Sequence, residues 1–352
     1  MRRAPLLLLV LAACGGPPPK PLPTITIAAA ADSLNVPDLD VSQARWLGGE
    51  RWALLSQLGN VVRVVDWSKH TVTPLGRPGK DYQHPSVIFT AGDTLYVNDW
   101  GMRRTTAWTS AGKLAGSWPA PALTGGVLPS ARDGAGRFYA EQRPMVKMDG
   151  TGRLDSAAVV RWSPGAAKLD TVAHLAPYTF QQVNDADGQR YLRPIFSGAD
   201  LWGVRPSGEI WIARVGPNRL EVRDTAGNWH RGPRLPDALY PVTREDRDYY
   251  ADGFPEDQRS IAAQLPFAIV KAPFEAAWVA GDGRIWLEKS RSLTDSLRSY
   301  QILGAGGTVD TVVQIRNARR ILGSAANVLL GDEQLPGTAG FRILRFWTGP
   351  AR

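Results

Sequence analysis

The chain has 352 residues and a mass of 38.3 kDa, more than one ordinary single-core domain holds, which leaves two such domains or one large closed β architecture. A hydrophobic share of 43% and a charged share of 21%, with 36 Gly and 27 Pro, exclude both a disordered chain and a multi-span membrane protein. One Cys excludes a disulfide framework or a Cys-based zinc site within the chain, four His leave little for a His-rich metal centre, and the net charge of +8 comes from basic residues dispersed among acids. A nucleic-acid binder clusters its basic residues, so no nucleic-acid partner is expected.

Met1-Arg2-Arg3 is a short cationic start, and Leu6 to Leu11 form an apolar run far below the roughly 20 residues that span a bilayer. Leu11-Ala12-Ala13-Cys14 then spells Leu-small-small-Cys, with the chain's one Cys at its end. The spelling resembles a bacterial lipobox. That resemblance implies a signal peptide over 1–13, cleavage before Cys14 and acylation of its sulfur, with the bilayer as first partner and several acyl chains giving stable anchoring. Loss of Arg2 and Arg3 leaves about +6 on the mature chain. Gly15-Gly16-Pro17-Pro18-Pro19-Lys20-Pro21-Leu22-Pro23 cannot build a packed element, so 14–23 reads as lipidated Cys plus extended tether. Gly15 after the Cys, in place of Asp, resembles the outer-membrane sorting pattern of diderm lipoproteins, facing periplasm or exterior.

Beyond the tether a unit recurs: a Gly-containing turn, one residue, then an apolar–aromatic–apolar strand. It reads Gly92-Asp93-Thr94-Leu95-Tyr96-Val97, Gly136-Arg137-Phe138-Tyr139-Ala140, Gly208-Glu209-Ile210-Trp211-Ile212 and Gly283-Arg284-Ile285-Trp286-Leu287, with looser copies at 49–54 and 326–330. A second strand follows each copy, as in Val61–Asp66 and Arg219–Asp224, where Leu220 and Val222 alternate with Arg219, Glu221 and Arg223. Small-residue turns such as Ser110-Ala111-Gly112-Lys113 are the hairpin grammar of an antiparallel sheet. The anchors Trp52, Tyr96, Tyr139, Trp211, Trp286 and Leu329 stand 44, 43, 72, 75 and 43 apart, and four-stranded propeller blades repeat at about 40–50 residues. The two long gaps hold long loops, or in the alternative a hidden seventh blade.

These units resemble the six-bladed, NHL- or TolB-like propellers of bacterial secreted and lipid-anchored proteins, over residues 24–349. The resemblance implies an all-β fold: one six-bladed β-propeller of four-stranded antiparallel blades. The last copy is one strand short, so Thr24–Ala28 is expected to supply the outer strand of the C-terminal blade and close the ring. Within the insertion at 236–266, Thr243 followed by Glu245 and Asp246 predicts one short helix.

The chemistry is less legible. No Gly-rich phosphate loop, Gly-x-Ser-x-Gly elbow or paired helical His is spelled. His70, His84, His174 and His230 read as surface or packing residues. Lactonase-type propellers imply a divalent cation such as calcium held by hard oxygen ligands in the channel. Asn98, Asp99 and Glu288 directly follow anchor strands and are the candidates, with Glu141, Asn184 and Asp185 behind them; turn and strand-end roles explain the same residues. A basic pocket for an anionic ligand such as a carboxylated sugar is the other candidate, from Arg103, Arg104, Arg143, Lys147, Arg193, Arg205, Arg214 and Lys271 near strand ends. Trp67, Trp100, Trp118 and Trp229 follow turns or strand ends and suit either stacking or inter-blade packing. The reading is a monomeric, envelope-anchored, non-catalytic module without a cofactor that binds a protein or glycan partner. The alternative is a metal-dependent hydrolase or lyase of the lactonase type acting on a small anionic substrate.

Overall fold

The computed structural model describes residues 21–27, 29–36, 40–143, 157–185, 188–256, 262, 264–280, 282–316, 319–325, 328–335 and 340–347. After β1 (Thr24–Ile27) and β2 (Asp32–Val36) the chain lays down six sheets in succession. The first is β3 (Gln43–Gly48), β4 (Arg51–Ser56), β5 (Val61–Asp66) and β6 (Thr71–Pro74); the second is β7 (Pro85–Ala91), β8 (Thr94–Asp99), β9 (Arg104–Thr109) and β10 (Leu114–Pro119). The third is β11 (Ala131–Arg132), β12 (Phe138–Gln142), β13 (Ala158–Trp162) and β14 (Asp170–His174). A separate hairpin, β15 (Gln181–Asp185) and β16 (Gly188–Leu192), precedes the fourth sheet, β17 (Leu201–Val204), β18 (Ile210–Arg214), β19 (Arg219–Arg223) and β20 (Trp229–Arg234). Helix α1 (Arg244–Asp252) lies in the connection to the fifth, β21 (Phe274–Val279), β22 (Ile285–Lys289), β23 (Leu297–Leu303) and β24 (Val309–Arg316). The sixth is β25 (Arg319–Ala325), β26 (Val328–Gln334) and β27 (Phe341–Trp347).

Neighbouring strands within each blade are antiparallel, and the innermost strands touch from blade to blade: β25 with β3, β3 with β7, β7 with β11, β11 with β17, β17 with β21. This is the six-bladed propeller that the repeat predicts. Each anchor falls on the second strand of its blade and each follow-on strand on the third. The two long gaps between anchors hold the β15–β16 hairpin and α1.

The reason for the anchor spelling is that a blade is buried on both faces. Alternate residues of β4 point to opposite neighbours: Trp52 and Leu54 pack toward the sixth blade, Ala53 and Leu55 toward the second. Six apolar clusters result, one in each inter-blade seam, in place of one central core. A strand with two buried faces reads as a continuous apolar run. Trp67 and Trp118 belong to such seams, Trp67 against the sixth blade and Trp118 against Phe138. Of the four tryptophans singled out in the sequence, Trp100 and Trp229 are exposed.

Ring closure corrects one expectation. The missing outer strand of the sixth blade is β2, paired antiparallel with β27 from Asp32↔Arg345 to Val36↔Phe341. The segment expected there, β1, goes one blade further back and lies parallel to β24 as a fifth strand, with Thr24 opposite Val312. Both placements cover an open sheet edge, and both bury an apolar side chain, Val36 in one seam and Ile27 in the next.

Helix α1 starts at a reciprocal cap. The Thr243 hydroxyl accepts from the Asp246 N–H at 3.2 Å, and the Asp246 carboxylate accepts from the Thr243 N–H at 3.0 Å.

Candidate functional site

Antiparallel blades sort their connections between two ends of the disc. The turns joining second to third strands, and the segments joining one blade to the next, leave at one end, the loop end. The Gly-rich turns between first and second strands leave at the other, the turn end.

The five most exposed large apolar side chains among the described residues all lie in loop-end connections: Ile269 at 87%, Leu58 at 71%, Tyr249 at 70%, Leu239 at 64% and Trp100 at 62%. Exposed apolar residues of turn-end segments, such as Leu114, Trp229 and Trp347, are all less than half exposed.

Most of the sequence-predicted basic residues are at the loop end as well, but they do not share a pocket. Arg103 and Arg104 leave the β8–β9 turn; Arg103 lies over the Trp100 ring, and Arg104 donates to the Asp81 carbonyl at 2.8 Å. Arg143 and Arg193 do come together, on the two sides of a Glu141–Tyr178 cluster. Arg143 donates to Glu141 at 2.7 Å, Tyr178 donates to the same carboxylate at 3.0 Å, and the Arg193 guanidinium sits 4.4 Å from the Tyr178 ring centre. Burial is the main cause that pulls Arg193 below the usual arginine range. Trp202 completes the cluster, its indole N–H 3.0 Å from Glu141. Arg214 is held between Asp200 and Glu221, both at 2.8 Å. Lys271 is consumed by α1: its ammonium reaches Asp246 at 2.6 Å and the Arg291 carbonyl at 2.9 Å. Arg205 lies at the turn end, 3.7 Å from Glu209. Cys14 and Lys147 lie outside the described residues.

The residues on which a divalent cation was expected are split between the second and fifth blades, and each has a local task. Asp99 is fully buried and accepts from the backbone N–H groups of Gln83 at 2.7 Å, His84 at 3.0 Å and Met102 at 3.1 Å, which shapes the turn around it. The Asn98 amide donates to the Pro129 carbonyl and accepts from the Thr105 hydroxyl at 2.8 Å. Glu288 pairs with Arg298 at 2.7 Å. This donor set does not fit a shared cation, and among the described residues no group of three His, Cys, Asp or Glu is arranged around a metal position. Asn184 and Asp185 fall on β15, with their side chains outside the description.

The residues that line the central channel were missed by the sequence reading, which placed only cation candidates there. A cavity of about 650 Å³ opens along it toward the turn end, walled by the innermost strands of all six blades. Trp46, Trp202 and Trp278 line it with Thr90, Ser130 and Ser324, and two arginines, Arg45 and Arg132, stand in its wall. Gly323 makes the seam beside Arg45 possible: a Cβ there would lie 2.8 Å from the Ala44 carbonyl oxygen. The available signal was positional. Trp46, Trp202 and Trp278 each sit on the strand before an anchor, Trp46 opposite Trp52, Trp278 opposite Trp286 and Trp202 beside the partner of Trp211, so stepping back one strand from these anchors finds the channel wall.

No protein-family model matches the chain, and no curated protein matches it in sequence. Solved structures do resemble it. A crystal structure of a member of the DUF4221 family from Bacteroides vulgatus is similar at 10% identity, with a TM-score of 0.50, over 92% of this chain and 98% of that one. Regucalcin, a calcium-binding protein from Agrobacterium tumefaciens, aligns at 11% identity and a TM-score of 0.43, covering 93% and 97%. A streptogramin B lyase aligns at 11% identity and a TM-score of 0.41, covering 91% and 87%. At such identities the likeness concerns the fold alone.

Proposed function

We propose that this chain is a lipid-anchored, non-catalytic binding module of the bacterial cell envelope whose loop end docks a protein partner. The observation that carries the reading is the concentration of the five most exposed large apolar side chains at that one end. Scattered single apolar residues need no explanation, whereas several gathered on one face mark an interaction surface. The orientation of the N-terminus agrees. β1 starts beside the turn-end half of β24 and runs toward the loop end, so a tether anchored through Cys14 approaches from the turn side. The run from Gly15 to Pro23 is rich in Gly and Pro, the composition of a spacer. Approach from the turn side leaves the loop end clear of the bilayer. The lactonase-type alternative gains no support from Asn98, Asp99 and Glu288, whose polar groups are spent on the fold.

The test is site-specific photo-crosslinking in the producing cells, with a crosslinker at Trp100 or Ile269 and a control at Leu114 on the turn side. One adduct of fixed mass from both loop-end positions and none from Leu114 supports docking. Equal crosslinking from both ends, or none from the loop end, removes it. Metabolic palmitate labelling, abolished in Cys14→Ser, tests the anchor separately.

A further inference from the structure

Arg45 enters the channel from β3 and has few partners there. Among the described residues its guanidinium makes one hydrogen bond, from Nη1 to the carbonyl of Ala44 at 2.7 Å, out of five N–H donors. Half-buried in the wall, it is desolvated enough to push its pKa down to about 10, so it remains charged at neutral pH, with no compensating anion among the described residues. Asp133, the one carboxylate among the residues lining the cavity, is already taken: Arg137 donates to it at 2.7 Å and the Tyr139 hydroxyl at 2.7 Å. The second cation of the wall, Arg132, is stacked 5.0 to 5.6 Å from the ring centres of Phe138, Tyr96 and Trp118, and its bonds go to the Gly136 carbonyl and the Tyr96 hydroxyl. The cavity wall therefore holds two guanidinium groups and one carboxylate that a third arginine has neutralised.

Desolvating a cation without an anion, even one left half-buried as Arg45 is, opposes folding. Elsewhere in this molecule the chain meets that need with acids, as at Arg161–Asp170 and Arg214–Asp200. At Arg45 it does not, and the cavity beside it has the size of a small-molecule pocket, for which about 300–1,000 Å³ is usual. Trp46 and Trp278 have their polar atoms occupied. Trp46 donates to the Gly49 carbonyl at 2.9 Å and Trp278 to the Ser324 hydroxyl at 3.2 Å. What they offer a ligand is carbon surface, and Trp46 keeps 42% of its area exposed.

We propose that the central channel binds a carboxylated sugar, a uronic acid or the acidic end of a short glycan, with Arg45 receiving the carboxylate and Trp46 and Trp278 supplying apolar surface to the sugar ring. A guanidinium matches a carboxylate with two parallel N–H bonds, which an ammonium in the same place does not reproduce. The site opens at the turn end, so it is independent of docking at the loop end.

The experiment is titration of the full chain with D-glucuronate and with D-glucose, read by calorimetry and by tryptophan fluorescence, for the wild type, Arg45→Met and Arg45→Lys. Glucuronate is expected to bind with a change in tryptophan emission, and glucose at least tenfold more weakly. Arg45→Met is expected to lose glucuronate at least tenfold and to abolish the preference over glucose, with Arg45→Lys in between. Circular dichroism confirms the fold of each variant, and if Arg45→Met does not fold, the Arg45→Lys loss decides. The proposal is overturned if the wild type binds neither sugar at millimolar concentration, if it binds both equally, or if glucuronate affinity survives a folded Arg45 variant.

Discussion

Replacing Lys271 by Met should release α1 from the disc, with a dependence on pH opposite to that of the native protein. Both partners of the Lys271–Asp246 pair are almost inaccessible, at 6% and 3% side-chain exposure, and stand 2.6 Å apart. Burial alone raises the Asp246 carboxyl, but the Lys271 ammonium and the Thr243 N–H outweigh it and hold the group below the usual carboxylate range. In the native protein this coupling stabilises the fold above the unfolded value near pH 4 and is lost as pH falls through the lower folded value. Methionine preserves most of the stem volume and leaves the carboxylate buried with its cap bonds alone, a loss of about 3–5 kcal/mol. The sign then reverses. Burial keeps the carboxyl above its unfolded value, so the variant is weakest at neutral pH and recovers as acid protonates Asp246. Hydrogen exchange over Arg244–Asp252 reads the effect locally, and at 1.4 kcal/mol per decade the amides should open about two to four powers of ten more often at pH 7. The double variant Lys271→Met with Asp246→Asn should regain most of the protection. A protection factor that falls less than tenfold at pH 7, or that does not rise again between pH 7 and 5, refutes the reasoning.

Three further outcomes follow from single contacts. Asp99→Ala strips the acceptor from three partly buried backbone N–H groups and should cost about 1–3 kcal/mol in urea denaturation, with calcium shifting neither the wild-type nor the variant midpoint; a calcium-dependent midpoint lost in the variant would restore the cation reading. Tyr300→Phe leaves the Ile321 N–H, which donates to the Tyr300 hydroxyl at 3.1 Å, unpaired in the seam between the last two blades. The loss should be about 1–3 kcal/mol, and a neutral result would mean water takes the place of the phenol. Removing residues through Ile27 should weaken the propeller modestly, whereas removal through Val36 opens the ring and should abolish cooperative unfolding; similar effects from both truncations would contradict the assigned closure.

The fold was legible because a blade obliges its middle strands to be apolar on both faces, and that leaves a spelling at every repeat. Trp52, Tyr139 and Trp211 could be found by eye for this reason, and the seams they fill follow directly. Closure was only half legible. Thr24–Ile27 and Asp32–Val36 are both short, half-exposed strands, and nothing in either distinguishes an outer edge from its neighbour; partner choice depends on where the open edges of β24 and β27 lie. The cation candidates show the opposite failure. Asn98, Asp99 and Glu288 were conspicuous because they end anchor strands, yet a strand end in a propeller is where backbone N–H groups of the next turn most need an acceptor. Position alone therefore could not separate a ligand from a turn-former.

Arg45 illustrates why the lining of the channel escaped a reading by motif. Innermost strands are short and border both a seam and a void, so their pattern mixes buried and accessible residues, as in the run from Gln43 to Gly48. An arginine in such a strand looks like an interruption in the apolar pattern. Its meaning comes from its place in space: the Ala44 carbonyl, the close approach of Gly323, and a cavity whose one lining carboxylate, Asp133, is already committed to Arg137. Each of those neighbours is remote in sequence or silent in type. If Arg45 had served only to fill the wall, a Met or Leu in its place would have done so without partly desolvating a charge. Retaining a charge there makes sense when something negative visits the channel, and Arg45→Met on a ligand-free sample checks this independently of any sugar. A higher melting temperature in the variant means that the native residue costs stability for the sake of an occupant, whereas a lower one means that Arg45 is part of the fold's own packing.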